Sequence, residues 1–301
     1  MRFALQAGGG TYDEVLTWAR YAESREFEAF AIPDHYLRGG DGGAALDALA
    51  TMGGLARDTS TIELMVLVSP VTFRHPAVLA KTASTLAEMS GGRFTLGVGT
   101  GWLESEHRLF GFDFPERAAR FDMMEEALGY LRAAFAEPPV SFTGRHYRFE
   151  AFDMQPRPPL RIVVGGTGTR RTPELAGRYA DELNAYPAPP EVFAGKVSRA
   201  RAAAVAAGRD PGRLIISSAG FFLGGDTEAQ YRERLEAYAA ASGGSVEGIE
   251  EAMRVRTSPH GTWDQIRTRL HGLEEAGMSR FFIQTLSDDP KDVEEVMEKL
   301  G

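Results

Sequence analysis

The stretch that decides the fold runs from Thr72 to Leu103, TFRHPAVLAKTASTLAEMSGGRFTLGVGTGWL. Val78, Leu79, Thr82, Leu86 and Met89 recur near helical spacing, and Gly91-Gly92 end that helix as C-cap glycines do. After Arg93 the short apolar run Phe94 to Val98 predicts a strand buried on both faces. Gly99, Thr100, Gly101 and Trp102 stand at its carboxyl end. Parallel α/β proteins build their sites there, and small residues let a ligand approach the backbone. A plain tight turn uses the same glycines, so the stretch reads as one repeat of a barrel with a candidate pocket at its exit.

Working outward, strand-like runs recur at Arg2-Leu5, Phe27-Ile32, Ile62-Val68, Arg93-Val98, Arg161-Val164, Glu182-Ala185, Leu214-Ala219 and Arg280-Gln284. Amphipathic stretches separate them at Tyr12-Arg25, Ala44-Arg57, Pro76-Met89, Glu116-Phe135, Thr172-Tyr179, Pro190-Ala207, Thr227-Ala240 and Thr262-Ala276, and Pro290-Leu300 closes the chain. Strict alternation with eight strands predicts an α/β fold, a (β/α)8 TIM barrel, as one domain over residues 1–301. Two segments break the repeat. Val140 to Phe149, with Gly144 between two alternating runs, predicts a β-hairpin inserted after the fourth strand. Ser242 to Pro259, polar and opened by Gly243-Gly244, predicts a loop or short helix inserted near the seventh.

Composition narrows the class. At 301 residues and 43% hydrophobic the chain can bury a large core, and it has no cysteine, which excludes disulfides, a thiolate nucleophile and thiolate metal sites. The formal charge of −9 argues against a nucleic-acid partner. No window reaches the roughly 18 apolar residues of a membrane span, and MRFALQAGGG is too short an apolar run for a signal peptide. A cytoplasmic protein is expected. The histidines at 35, 75, 107, 146, 260 and 271 show no HxH or HExxH spacing, so no metal site is expected and a metal-dependent barrel hydrolase is disfavoured.

Three strand exits carry candidate chemistry. Asp34-His35 follows the second strand: a histidine there donates or accepts a proton near neutral pH with Asp34 orienting it, or is simply hydrogen-bonded in a loop that Asp34 caps. After the fourth strand, Trp102 offers a face for a planar ring and Glu104 a proton acceptor, while Glu104 and Glu106 also suit a solvated helix amino terminus, and His107 packs or caps. The candidate catalytic set is thus His35, Asp34 and Glu104. After the fifth strand, Gly165, Gly166, Thr167, Gly168, Thr169 and Arg170 open a helix. Consecutive N–H groups, two threonine hydroxyls and the pair Arg170-Arg171 make a phosphate site, or a glycine-rich turn with a solvated basic pair.

Taken together, Thr72 to Trp102, Ile32-Pro-Asp-His-Tyr36 and Val164-Gly-Gly-Thr-Gly168 resemble the luciferase-like monooxygenase superfamily of flavin- and deazaflavin-dependent oxidoreductases, over roughly residues 1 to 285. That resemblance implies a TIM-type barrel holding coenzyme F420 or FMN at its carboxyl-terminal face, with an active-site histidine at His35. It also implies a non-prolyl cis peptide behind the ring, falling by position around Val66-Leu67, so that Val66, Leu67 and Val68 join Gly99, Thr100, Gly101 and Trp102 against the cofactor; the residues alone predict only an ordinary strand ending at Pro70. GTGW with PDHY and GGTGTR looks closest to the F420-dependent branch, with Arg170, Arg171, Arg178 and Lys196 available to its acidic tail. Such an enzyme passes a hydride between F420 and a small organic substrate. The alternatives are a two-component FMN monooxygenase fed by a separate reductase, and a non-catalytic flavin-binding barrel. Phe73, Phe110, Phe112, Tyr147, Trp263 and the 242–259 loop are placed to line the substrate space, and a homodimer is implied.

Overall fold

Continuous apolar runs separated by amphipathic helices leave the strands one way to hide both faces: a closed parallel sheet wrapped in helices. The computed structural model of the protein describes residues 1–38, 43–255, 258–285 and 289–301. Eight parallel strands close a barrel: β1 Arg2–Gln6, β2 Ala29–Ile32, β3 Glu63–Pro70, β4 Phe94–Gly99, β5 Arg161–Gly166, β6 Glu182–Ala185, β7 Ile215–Phe221 and β8 Arg280–Gln284. Each pairs with its neighbours in sequence, and β8 returns to β1 through the register Arg2↔Arg280 to Gln6↔Gln284. The described helices are α1 Tyr12–Ser24, α2 Ala48–Asp58, α3 Pro76–Met89, α4 Glu104–Phe110, α5 Arg117–Ala134, α6 Arg171–Tyr179, α7 Pro190–Ala206, α8 Glu228–Ser242, α9 Val246–Val255, α10 Trp263–Glu275 and α11 Pro290–Leu300.

Strand side chains sort by parity. Phe30, Leu64, Val66, Leu96, Val98, Ile162, Val164 and Phe281 join the core against the helices. Their neighbours Ala29, Ala31, Met65, Leu67, Val163 and Phe282 pack with Ala4 and Ala219 into a separate cluster that fills the lumen. Below that plug lies a charged layer. Arg280, 1% exposed, donates to Glu28 at 2.7 Å, Glu182 at 2.8 Å and Glu63 at 3.0 Å, and Arg161 pairs with Glu63 at 3.1 Å.

Sequence signals account for most helix ends. Thr11 and Glu14 form a capping box on α1, Thr262 and Gln265 another on α10. His75 caps α3 through Nδ1, Pro76 takes the first position, and Gly91 and Gly92 follow at φ 65° and 84°. The hairpin after β4 pairs Phe142–Thr143 with Arg148–Phe149, and Glu126 of α5 fastens its turn by accepting from Arg145 N at 2.8 Å and His146 N at 2.7 Å. In the second insertion 246–255 form α9, while Arg256 and Thr257 lie outside the described residues.

Other details depart from the sequence reading. An antiparallel pair, Leu37–Arg38 with Gly43–Ala44, lies ahead of α2, so that helix begins at Ala48 rather than Ala44, with Asp47 accepting from Ala50 N at 2.8 Å. The β4–α5 connection contains α4, and Leu223–Gly225 pairs in parallel with His260–Thr262 beside the barrel. The register between β3 and β4 shifts between Val66 and Ser69, and the cis peptide is Leu67-Val68, one residue beyond the expected position.

Candidate active site

Asp34 leaves β2 with 1% exposure and needs partners. Ser69 donates to it at 2.6 Å, and the Arg74 guanidinium lies across both its oxygens while also bridging to Asp47 at the head of α2. Burial alone would lower the Arg74 guanidinium, but Asp34 and Asp47 raise it above its ordinary value. Asp34 is thereby spent on fixing the loop. It does not orient His35, as its neighbouring position suggested.

That task falls to Glu106. On α4 it is fully buried; one carboxylate oxygen lies 2.9 Å from His35 Nδ1, and the other accepts from the backbone N–H groups of Tyr36 and of Leu37, the latter at 3.0 Å. With Nδ1 engaged by the carboxylate, Nε2 is the His35 ring nitrogen without a hydrogen-bond partner among the described residues. Trp102, 68% exposed, meets the His35 ring edge-on at 5.7 Å. Glu104 stands exposed at the first residue of α4 with no hydrogen bond among the described residues. His107 is buried: Nδ1 donates to the Leu103 carbonyl at 2.8 Å, so Nε2 accepts from the Thr72 hydroxyl at 2.6 Å.

The glycines at the strand exits make room for Val68. A Cβ on Gly99 would fall 2.6 Å from a Val68 methyl, one on Gly165 2.7 Å, and one on Gly97 2.8 Å from a Val68 methyl and 2.1 Å from the Val66 carbonyl oxygen. The β3 bulge therefore reaches over β4 and β5 and forms the floor of the mouth between them. Across the mouth, Gln6 donates to the Leu67 carbonyl at 3.1 Å and accepts from Gln284 at 2.9 Å, pinning the bulge from the far side. Phe73, Phe110 and Phe112 gather round Tyr36 at the rim, with ring centroids 4.9, 5.1 and 5.9 Å from it. Tyr147 and Trp263 are core residues instead, at 8% and 4% exposure.

The loop after β5 ends at α6, whose first residue is Arg171 and whose cap position, Arg170, makes no side-chain capping bond. Thr167 and Thr169 are exposed beside it. Of the four basic residues available to an acidic tail, Arg171 pairs with Asp122 at 2.7 Å, Arg178 with Glu125, and Lys196 is buried with Nζ on the Tyr186 carbonyl at 3.2 Å. Arg170 remains on the surface, 3.6 Å from Glu174. A fifth cation was not singled out in the sequence. Arg120 is 9% exposed, stacks 3.7 Å over Phe114, gives Nη1 to the Pro115 carbonyl at 2.7 Å, and leaves Nε with no partner. Its neighbour Phe121 reaches the loop, lying 3.7 Å from where a Cβ of Gly168 would stand, and Arg171 stacks 5.0 Å over the same ring.

An uncapped helix amino terminus with flanking threonine hydroxyls fits a phosphorylated cofactor. Arg74, Gln6 and Arg120 escaped the sequence reading, and Glu106 entered it only as a residue of a solvated helix amino terminus. Glu106 had one usable signal: Leu103, Glu106 and His107 share a helix face at i, i+3 and i+4.

Comparison with known proteins bears on this site. The family model described as luciferase-like monooxygenase matches residues 2–280. An F420-dependent glucose-6-phosphate dehydrogenase of Microbacterium testaceum is 33% identical over 189 residues, 60% of this chain and 55% of that protein. The chain thus spans about half the length of this relative. The pyrimidine monooxygenase RutA of Cronobacter sakazakii is 28% identical over 235 residues, 73% of this chain and 67% of that protein. Among solved structures, an F420-dependent secondary alcohol dehydrogenase in complex with an F420-acetone adduct superposes with a TM-score of 0.80 at 20% identity, covering 100% of this chain and 98% of that one. At that identity the likeness speaks for the shared barrel.

Proposed function

The chain belongs to the luciferase-like monooxygenase family, and from that premise we propose that it is an F420-dependent oxidoreductase acting on a small organic substrate. The observation that carries the reading is the His35–Glu106 pair: a buried carboxylate 2.9 Å from Nδ1 leaves Nε2 at the mouth as the proton-handling nitrogen. The F420-dependent relatives support the choice of cofactor.

The backbone N–H groups at the start of α6 and the hydroxyls of Thr167 and Thr169 would hold the cofactor phosphate. The bulge at Val68 and the exits of Gly99 to Trp102 would support its ring. A bound deazaflavin supplies the carbon that takes or gives a hydride. The chain's own part is positional and protic: His35 Nε2 receives the proton leaving a substrate hydroxyl, or returns one to a carbonyl, while Trp102 and the aromatic group on Tyr36 exclude water from that exchange.

A second reading, an FMN monooxygenase served by a separate reductase, is favoured by the longer match to the pyrimidine monooxygenase. Titrating the purified protein with F420 and with FMN, and following tryptophan quenching, separates the two. Binding of F420 and not FMN is the expected result; binding of neither would overturn both. In the F420-loaded enzyme, His35→Ala is expected to keep cofactor affinity within twofold and to lower turnover about 10²- to 10⁴-fold.

A further inference from the structure

His35 also lines a cavity of about 130 Å³ between the exits of β1 and β2 and helices α1 and α2. Val15 of α1, Ile32 and Pro33 at the end of β2, and Leu37 and Leu46 beyond it form its walls, with Gly8 at its edge. Thr51 supplies the one side-chain hydroxyl, and that hydroxyl already donates to the Asp47 carbonyl at 2.8 Å. Among the described lining residues His35 is the sole ionisable group.

This is a compartment for carbon. Apolar cavities stay dry and accept hydrocarbon of matching size; about 150 Å³ suffices for benzene. A phosphate or carboxylate pushed into it would lose its hydration and meet no lysine or arginine among those lining residues. Its place at His35 also matters, because a group lying in it brings the atom that follows to the imidazole.

We propose that this cavity selects the substrate, and that the substrate is a neutral alcohol or carbonyl compound whose carbinol or carbonyl carbon carries compact apolar bulk of up to about five carbons. The substituent fills the cavity and the oxygen lies at His35 Nε2. The inference rests on the reading of His35 given above. It separates this chain from sugar phosphates, the substrate named for its dehydrogenase relatives.

Gly8 offers a clean test. Its backbone lies outside the left-handed region, and a Cβ there would find only Pro33 Cδ, at 4.0 Å, so Gly8→Ala and Gly8→Val fill the cavity edge without a backbone clash. Leu46→Ala enlarges it from the opposite wall. Binding of cyclohexanol, propan-2-ol, cyclooctanol and glucose 6-phosphate is measured by ligand-observed NMR on the full chain, with melting temperature confirming the fold of each variant. Each buried methylene strengthens binding up to about fourfold, so cyclohexanol should bind at least about tenfold tighter than propan-2-ol.

Gly8→Val should weaken cyclohexanol at least about tenfold and leave F420 affinity within twofold, and Leu46→Ala should admit cyclooctanol. Cyclohexanol affinity indifferent to both changes, or glucose 6-phosphate displacing it in a Gly8-dependent way, would overturn the proposal. Failure to bind F420 with the Gly8-dependent cyclohexanol binding intact would retire the cofactor reading and uphold the cavity's preference.

Discussion

Glu106 holds the region between β2 and α4 together with three hydrogen bonds from one buried carboxylate. Replacing it by Gln keeps the shape but exchanges an oxygen acceptor for an amide donor. Either His35 or the pair of backbone N–H groups at Tyr36 and Leu37 then faces a donor. Stranding one buried donor costs about 1–3 kcal/mol, so Glu106→Gln should lower stability by that amount in urea unfolding and cut turnover at least about tenfold, with cofactor affinity retained. Unchanged turnover would remove Glu106 from the proton path. The residue scale was the least legible in the sequence. Asp34 sits beside His35 in the chain and so attracted the orienting role, but a loop side chain's aim depends on which helix closes over it, and α4 is seven residues long. Two acidic residues on one turn, Glu104 and Glu106, differ only in which faces inward.

At the scale of the element, β3 shows what a hydrophobic run hides. Met65-Val-Leu-Val68 is apolar throughout, so the extra residue behind the register shift at Val66 to Ser69 alters no visible pattern, and only family resemblance pointed to an irregular peptide there. Its complement was legible, though for another reason. Gly99 and Gly165 suggested close approach of a ligand, and the group that approaches them closely, and Gly97 with them, is the Val68 side chain. Gly99→Ala is therefore expected to destabilise the protein by about 1–3 kcal/mol through overpacking, and Val68→Ala in the same chain should restore most of it. Gly97→Ala should not be rescued, because its Cβ would also meet the Val66 carbonyl. Thermal unfolding of the four variants checks this. Equal rescue at both glycines would show that Val68 alone, rather than the Val66 carbonyl, sets the limit at Gly97.

For the whole molecule, alternation of eight strand-like runs with amphipathic helices sufficed to read the barrel, because that architecture repeats one local pattern and closes on itself. The charged layer beneath the lumen was invisible, since Glu28, Glu63, Glu182 and Arg280 are spread over more than 250 residues and meet only when the sheet closes. Burial pushes the Glu182 carboxyl up from 4.5 to about 7, against the pull of Arg280 and with Glu63 and Glu28 adding to the rise. A carboxyl that holds its proton more tightly in the native state favours folding below about 4.5, and this contribution drains away as pH rises toward 7. Glu182→Gln should therefore flatten the stability–pH curve between those limits relative to the native chain, as measured by urea unfolding at successive pH values; identical curves would place Glu182 outside the titration. Arg280→Met, which removes the one cation shared by all three glutamates, should cost about 3–5 kcal/mol.

The same layer settles the traffic. With Arg280 and its glutamates at one end and Phe282, Met65 and Leu67 packed above them, the barrel is a cup and not a tube. Whatever enters it shares one doorway with whatever leaves, so of any two visitors the deeper must arrive first and depart last.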